Sequence, residues 1–506
     1  MSAEERPGDA GLESSYVPTP GRTTVLRALA CTATLATMLC GPGVGAAAEE
    51  APSRADALAA IRKAVAFFHG KVAVGGGYVW QYSADLSRRE GEGKVGLTTV
   101  WVQPPGTPFV GEAFVEAYEQ TGEKCCLDAA RAAAEVLLRG QMHSGGWGDR
   151  VELDPAARRR HAYRVDGKPG RKARNYSSLD DDKTQSALRF LMRYDRATKL
   201  ARRDVHQAAR AALDCLLAAQ FPNGGWPQVY KGPADADAWP AKPAGYPQGG
   251  PSERVKAYWD LPTLNDNLMS DVIDTLLLAA EVYRDDRCPQ AAMRAADFLL
   301  LAQMPAPQPA WAQQYGRDMC PAWARKFEPP AICGGESQTV MGTLLDIYER
   351  TGRRKYADAV ARALAYLKRS RLADGRLARF YEMKTNRPLY FTRDYRLTYD
   401  DADVPTHYSF KVSSRLESIE KRLAALTARP WRPPAPGAAP SRPSASAVRG
   451  IIDALDARGA WVQPGRMRYW PKTDSTTHVI SPGTFARNLR LLARYAARAD
   501  LRQTGG

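Results

Sequence analysis

The chain has 506 residues, 44 % of them hydrophobic, with 71 Lys and Arg against 55 Asp and Glu and a formal charge of +16. That composition excludes a disordered chain and leaves room for one large domain or several ordinary ones. The positive balance suits an anionic partner, whether nucleic acid, anionic membrane or acidic polysaccharide, and does not choose among them.

The N-terminus narrows the choice. Arg22 and Arg27 precede an uncharged, mostly apolar stretch over 28–38, and Ala46, Ala47 and Ala48 follow as a small-residue cleavage pattern. This order predicts a signal peptide over 1–48 and a secreted or periplasmic protein. The apolar run is too short to span a membrane, and no later segment is long enough. An exported protein rarely meets nucleic acid, so an acidic polymer is the expected partner, with no membrane partner after cleavage. Six cysteines remain beyond the leader: Cys125, Cys126, Cys215, Cys288, Cys320 and Cys333. They form no Cys-x-x-Cys pattern, and no His-Glu-x-x-His occurs. Buried thiols or one or two disulfides are expected, with Cys320 and Cys333 a conceivable pair.

From residue 112 onward the sequence repeats loosely as helical hairpins. First helices carry apolar residues at i, i+3, i+4, i+7 spacing, as in Phe114, Ala117 and Tyr118, or Leu276, Ala279, Ala280 and Tyr283. Second helices are predicted over 127–139, 205–218, 290–301 and 356–368. Each runs into a related loop: Gln141-Met142-His143-Ser144-Gly145-Gly146-Trp147, then Gln220-Phe221-Pro222-Asn223-Gly224-Gly225-Trp226, then Gln303 to Trp311, with Asp374-Gly375 a weaker echo. Repeats of this kind stack into an all-α toroid or partial barrel with long loops and short β pieces. In an antiparallel hairpin the start of the first helix and the end of the second share a pole. The Gly-Gly-Trp loops therefore meet the acids at first-helix N-termini: Glu112, Asp180-Asp181-Asp182, Asp266 and Glu336. Acids cap helix N-termini, but this many at one pole would repel unless a cation sat among them. Residues 158–174 are basic and read as a solvated loop or an extension of an anion track. Residues 232–255 read as a long loop and 429–447 as a Pro-rich linker or strap. The tail at 448–506 holds further helical stretches around Trp461 and Trp470 and is expected to pack on the main domain, 49–428.

Several blocks then carry a resemblance. Asn223-Gly224-Gly225-Trp226-Pro227-Gln228-Val229-Tyr230, Thr263-Leu264-Asn265-Asp266-Asn267-Leu268-Met269, Pro321-Ala322-Trp323-Ala324-Arg325-Lys326-Phe327-Glu328-Pro329-Pro330, and Ala378-Arg379-Phe380-Tyr381-Glu382 with Asn386-Arg387-Pro388 and Arg393-Asp394 occur in this order. Together they resemble the pectate lyases of polysaccharide lyase family ten, over roughly 57–426. The resemblance implies calcium-dependent β-elimination of polygalacturonate by a monomer. It implies calcium on Asp180, Asp181 and Asp266, Arg325 as the base at C5, and Arg379, Arg393 and Arg387 as binders of substrate carboxylates. An arginine base further implies an alkaline optimum. Trp226 and Trp147 are candidates for stacking on sugar rings. The chain departs from the family where Asp181 replaces a common Asn and Asp182-Lys183 replaces small residues. The extra acid should tighten calcium, and Lys183 should offset it. Two rivals remain: a toroid glycoside hydrolase using Asp266 and Glu336, and a non-catalytic protein that captures acidic polysaccharide.

Overall fold

The computed structural model describes residues 50–233, 235–249, 253–433 and 441–497. The expected signal peptide and part of the 429–447 linker lie outside them. The described helices are α1 (Arg54–Phe67), α2 (Thr107–Thr121), α3 (Lys124–Gly140), the single turn α4 (Pro155–Arg158), α5 (Lys183–Ala197), α6 (Arg203–Ala218), α7 (Leu268–Tyr283), α8 (Arg287–Leu301), α9 (Gly334–Thr351), α10 (Arg354–Arg369), α11 (Leu416–Thr427), α12 (Ala445–Asp453) and α13 (Pro482–Ala496). First helices pack on one another in the order α13, α2, α5, α7, α9, α11, and the second helices α1, α3, α6, α8 and α10 flank that row. This is the all-α toroid of hairpins that the periodicity implies.

The flanking helices are one-sided. In α10 the buried Tyr356, Ala359, Val360, Ala363, Leu364 and Leu367 form a stripe at three- and four-residue spacing, widened by the buried Ala357 and Tyr366. Each such Leu or Val contributes about 1.5–3 kcal/mol when fully buried. The loops between hairpins are stapled by the repeated Gln and Trp. Gln141 Nε2 donates to the Ala208 carbonyl of α6, Gln220 to Ala291 of α8 and Gln303 to Ala359 of α10, at 2.8–2.9 Å. Each Gln thus ties its own loop to the next outer helix. Trp147, Trp226 and Trp311 are fully buried, and their indole N–H groups donate to the carbonyls of Leu137, Leu216 and Leu299. Removing a buried indole from a core costs about 3–5 kcal/mol. Gly145 and Gly224 sit at φ +104° and +95°, where a Cβ would fall 2.7 and 2.3 Å from a carbonyl oxygen of the next outer helix. Only glycine allows that approach.

The tail belongs to the ring. Trp461 repeats the indole bond, donating to Ile451 of α12, and α13 packs between α1 and α2. Short strands join it to the N-terminus in a five-stranded antiparallel sheet ordered Val462–Pro464, His478–Ile480, Gln81–Ser83, Arg89–Gly91, Gly93–Lys94, with Tyr82 opposite Ile480. A second sheet of Ile332–Cys333, Phe380–Tyr381, Pro388–Phe391 and Leu397–Thr398 rests on a small core of Phe327, Phe380, Tyr390 and Phe410. The six cysteines beyond the leader are free thiols, so Cys320 and Cys333 are not bridged. Among the described residues no helix is long and apolar enough to cross a membrane.

Candidate functional site

Two short turns at one pole build the centre of the site. Asp180–Asp182 precedes α5 and Asn265–Asn267 precedes α7, and the turns touch. They are structural copies. Asp181 and Asp266 both sit at φ 49°, ψ 37°, followed by Asp182 at φ 60° and Asn267 at φ 60°. Two successive left-handed residues without glycine cost about 1–2 kcal/mol per position. Helix capping does not explain the conformation, because neither Asp182 nor Asn267 makes a side-chain cap bond.

The strain serves to converge carboxylates. Asp180, Asp181 and Asp266 each offer an oxygen within 4.8 Å of the others. Two oxygens bound about 2.4 Å from one hard cation lie at most about 4.8 Å apart, so this oxygen-only set fits a single calcium ion. Asn265 donates to Asp266 at 2.6 Å and Gln228 to Asp180 at 3.1 Å, which fixes both carboxylates. Burial, then Asp180, push the Asp181 carboxyl up to about 7. Burial, then Asp181 and Asp180, push Asp266 well above the usual range, against a smaller pull from Arg325. In both, burial acts first and the crowding of neighbouring carboxylates adds to it.

A folded-state pKa above the unfolded one adds stability below about pH 4 and loses it as pH rises through about 7. In chelator, the melting temperature should therefore be several degrees lower at about pH 8 than at about pH 5, and Asp181→Asn should flatten the difference. Calorimetry checks this, with calcium expected to restore the loss at about pH 8. A chelated wild type that melts higher at about pH 8 would sink it.

Lys183, the first residue of α5 and only 5 % exposed, reaches into the acids. Its Nζ lies 3.3 Å from Asp149, 3.4 Å from Asp180 and 3.5 Å from Asp181. Burial opposes its charge, but Asp180, Asp149 and Asp181 outweigh burial and hold it protonated. Glu92, on the hairpin turn between Arg89–Gly91 and Gly93–Lys94, also feels Lys183, Asp149, Asp180 and Arg325. The N-terminal sheet thus contributes an acid to the same cleft. Asp182, although third in the acid run, turns away and pairs with the half-buried Arg189 at 2.5 Å.

The cationic side is assembled around Tyr408. Arg325 forms a two-pronged pair with Glu328, at 2.8 and 2.5 Å, and Glu328 is 2 % exposed. Burial works against the Arg325 charge, but Glu328 more than offsets it and raises the guanidinium further. The Tyr408 hydroxyl donates to Glu328 at 3.2 Å, while Arg325 and Arg379 lie 5.7 and 4.7 Å from its ring centre. Arg379 also pairs with Glu336 at 3.5 Å and donates to the Ser409 carbonyl. Gln313 links the two halves, donating to Asn265, Glu336 and Tyr408.

The structure therefore brings together Asp180, Asp181, Asp266, Arg325 and Arg379. It places Arg393 and Arg387 on the exposed rim, with Arg393 paired to Asp403 at 3.2 Å and Arg387 stacked 3.3 Å over Tyr399. Trp226 and Trp147 cannot stack on a sugar, because both are fully buried as staples of the loops. Glu112 is not at a helix start; α2 begins at Thr107 behind Gly106, with Pro108 in its first turn, which puts Glu112 a turn further in, 3.6 Å from Arg193. In the basic run, Arg158 is spent on a pair with Asp166. Sequence reasoning missed Glu92, Asp149, Glu328 and Tyr408. Of these only Glu328 carried a signal, lying three residues after Arg325 in the segment 321–330.

Fold and site together define a helical-toroid protein whose acid pocket is faced by arginines. Residues 141–377, a little under half of the chain, match the family model described as pectic acid lyase, and the chain is recognised on that segment as an enzyme of the pectate lyase type. Asp180, Asp181, Asp266 and Arg325 lie within the match; Arg379, Arg387 and Arg393 lie beyond it. No curated protein matches the chain. Among solved structures it is similar to a family 10 polysaccharide lyase from Cellvibrio cellulosa, at 22 % identity over 63 % of this chain and 95 % of that one, TM-score 0.43. A mutant of that lyase in complex with trigalacturonic acid matches at 22 % identity over 63 % of this chain and 98 % of that one, TM-score 0.43. A cellobiose 2-epimerase from Bacillus thermoamylovorans matches at 12 % identity over 88 % and 98 %, TM-score 0.42.

Proposed function

We propose that this protein cleaves polygalacturonate by calcium-dependent β-elimination, releasing 4,5-unsaturated oligogalacturonides. The observation that carries the reading is the convergence of Asp180, Asp181 and Asp266 on one cation-sized point beside Arg325 and Arg379. Those three carboxylates would hold calcium, which when bound neutralises the C6 carboxylate of a galacturonate and acidifies the proton on C5. Arg379 takes a substrate carboxylate in the flat, two-pronged manner suited to a uronate, with Arg393 and Arg387 serving units further out. Arg325, in its neutral form, accepts the C5 proton; the C–H electron pair forms the C4–C5 double bond, and the C4–oxygen bond breaks with its electron pair leaving on the oxygen, which takes a proton from water. The reading includes an exported monomer, with a signal peptide over 1–48, a catalytic domain over 49–428, a strap over 429–447 and an extension over 448–506.

The Glu328 pair opposes a base role in the state described here, since it stabilises the protonated guanidinium. The reading therefore requires that Arg325 leave Glu328 as substrate binds. The same pair favours a second reading, a protein that captures polyuronate without cleaving it. One assay separates them: near-ultraviolet absorbance from polygalacturonate with calcium or with chelator, alongside a pull-down on the polymer. Calcium-dependent absorbance is expected. Polymer retained by folded protein with no absorbance would establish the capture reading instead, and absorbance indifferent to chelator would remove calcium from the reaction.

A further inference from the structure

The two copies of the acid turn differ most at the residue that follows them. After Asp180–Asp182 comes Lys183; after Asn265–Asn267 comes Leu268, fully buried in the core. The backbone is the same in both copies, so the chain has placed a cation where its own repeat places a hydrocarbon. The ammonium is not paired with one acid. It stands 3.3–3.5 Å from three, Asp149, Asp180 and Asp181, and two of these are among the proposed calcium ligands. An ammonium and a dication that share carboxylates repel each other and compete for the same oxygens.

We propose that Lys183 is a tethered cation of the acid pocket, lowering its affinity for calcium while keeping the pocket assembled when calcium is absent. The inference rests on the calcium reading above. Two consequences follow from the same charge. Without Lys183, Asp149, Asp180 and Asp181 lose their shared counter-charge, so the calcium-free protein is destabilised. With calcium present, the ion meets more negative charge and no competing ammonium, so it binds more tightly. The enzyme would then be loaded only where calcium is abundant, as it is outside cells, and would stay folded where calcium is scarce.

The test is calorimetric titration of calcium chloride into metal-stripped wild type, Lys183→Met and Lys183→Arg, with melting curves in chelator and in calcium. For Lys183→Met a Kd at least about tenfold lower is expected, with a lower melting temperature in chelator and a larger rise on adding calcium. Lys183→Arg, which keeps the charge, should stay near wild type. If Lys183→Met unfolds without metal, recovery of its circular dichroism at calcium concentrations below the wild-type Kd supports the proposal, and no recovery at millimolar calcium overturns it. Equal or weaker binding by folded Lys183→Met overturns it while leaving the calcium site intact. Absence of binding by both proteins fails the calcium reading itself.

Discussion

Replacing Arg325 by alanine should lower the rate of unsaturated-product formation by about 10³-fold, while calcium binding stays within a few-fold of wild type. The guanidinium sits between the acid pocket and the ring of Tyr408, close enough to Asp266 for each to shift the other. A lysine should not rescue it. Glu328 receives two parallel N–H bonds from Arg325, and an ammonium offers a point charge without that fork. Glu328→Gln sharpens the test. Glu328 raises the Arg325 pKa, so removing its charge should lower that pKa and move the alkaline rise of the pH–rate profile to lower pH. A profile that drops without moving would make Glu328 a positioning residue for a guanidinium that never takes the proton. An Arg325→Ala enzyme within about fivefold of wild type at its own optimum would remove Arg325 from the chemistry.

The ring was legible because its determinants are local and repeated. Apolar spacing at three and four residues marks the helices, and the recurring Gln and Trp mark the loops. What those residues do was less legible. Periodicity reveals that Trp226 recurs, but only the third dimension shows its indole turned inward to the Leu216 carbonyl. Strands of two or three residues, such as Val229–Tyr230, carry no period to read. The site divides in the same way. Asp180, Asp181 and Asp266 announce themselves as acids at the starts of two related helices. Glu92 and Tyr408 reach the cleft from distant hairpins and loops, and nothing in their own neighbourhoods marks them. Three adjacent aspartates also look alike in sequence, yet Asp181 faces the pocket and Asp182 faces Arg189. The left-handed backbone at both positions sends neighbouring side chains apart.

Asp266→Ala should reduce calcium affinity by about 100-fold and product formation to background, and the reason lies in that backbone. Asp266 is the sole proposed ligand from the second turn, so its loss leaves both remaining carboxylates on one loop, already shared with Lys183. Asp266 is also held in a left-handed conformation that glycine adopts freely. Asp266→Gly should therefore melt higher than wild type in chelator, since it removes a strained residue and a repelled carboxylate together, yet be equally inactive. Asp182→Asn provides the contrast. It breaks the half-buried pair with Arg189, so it should lower the melting temperature in chelator and in calcium alike and leave the calcium Kd within a few-fold of wild type. A protein in which Asp266→Gly lost stability in chelator, or in which Asp182→Asn weakened calcium as much as Asp266→Ala, would show that the acids act as one structural cluster rather than as a strained metal site beside a structural ion pair.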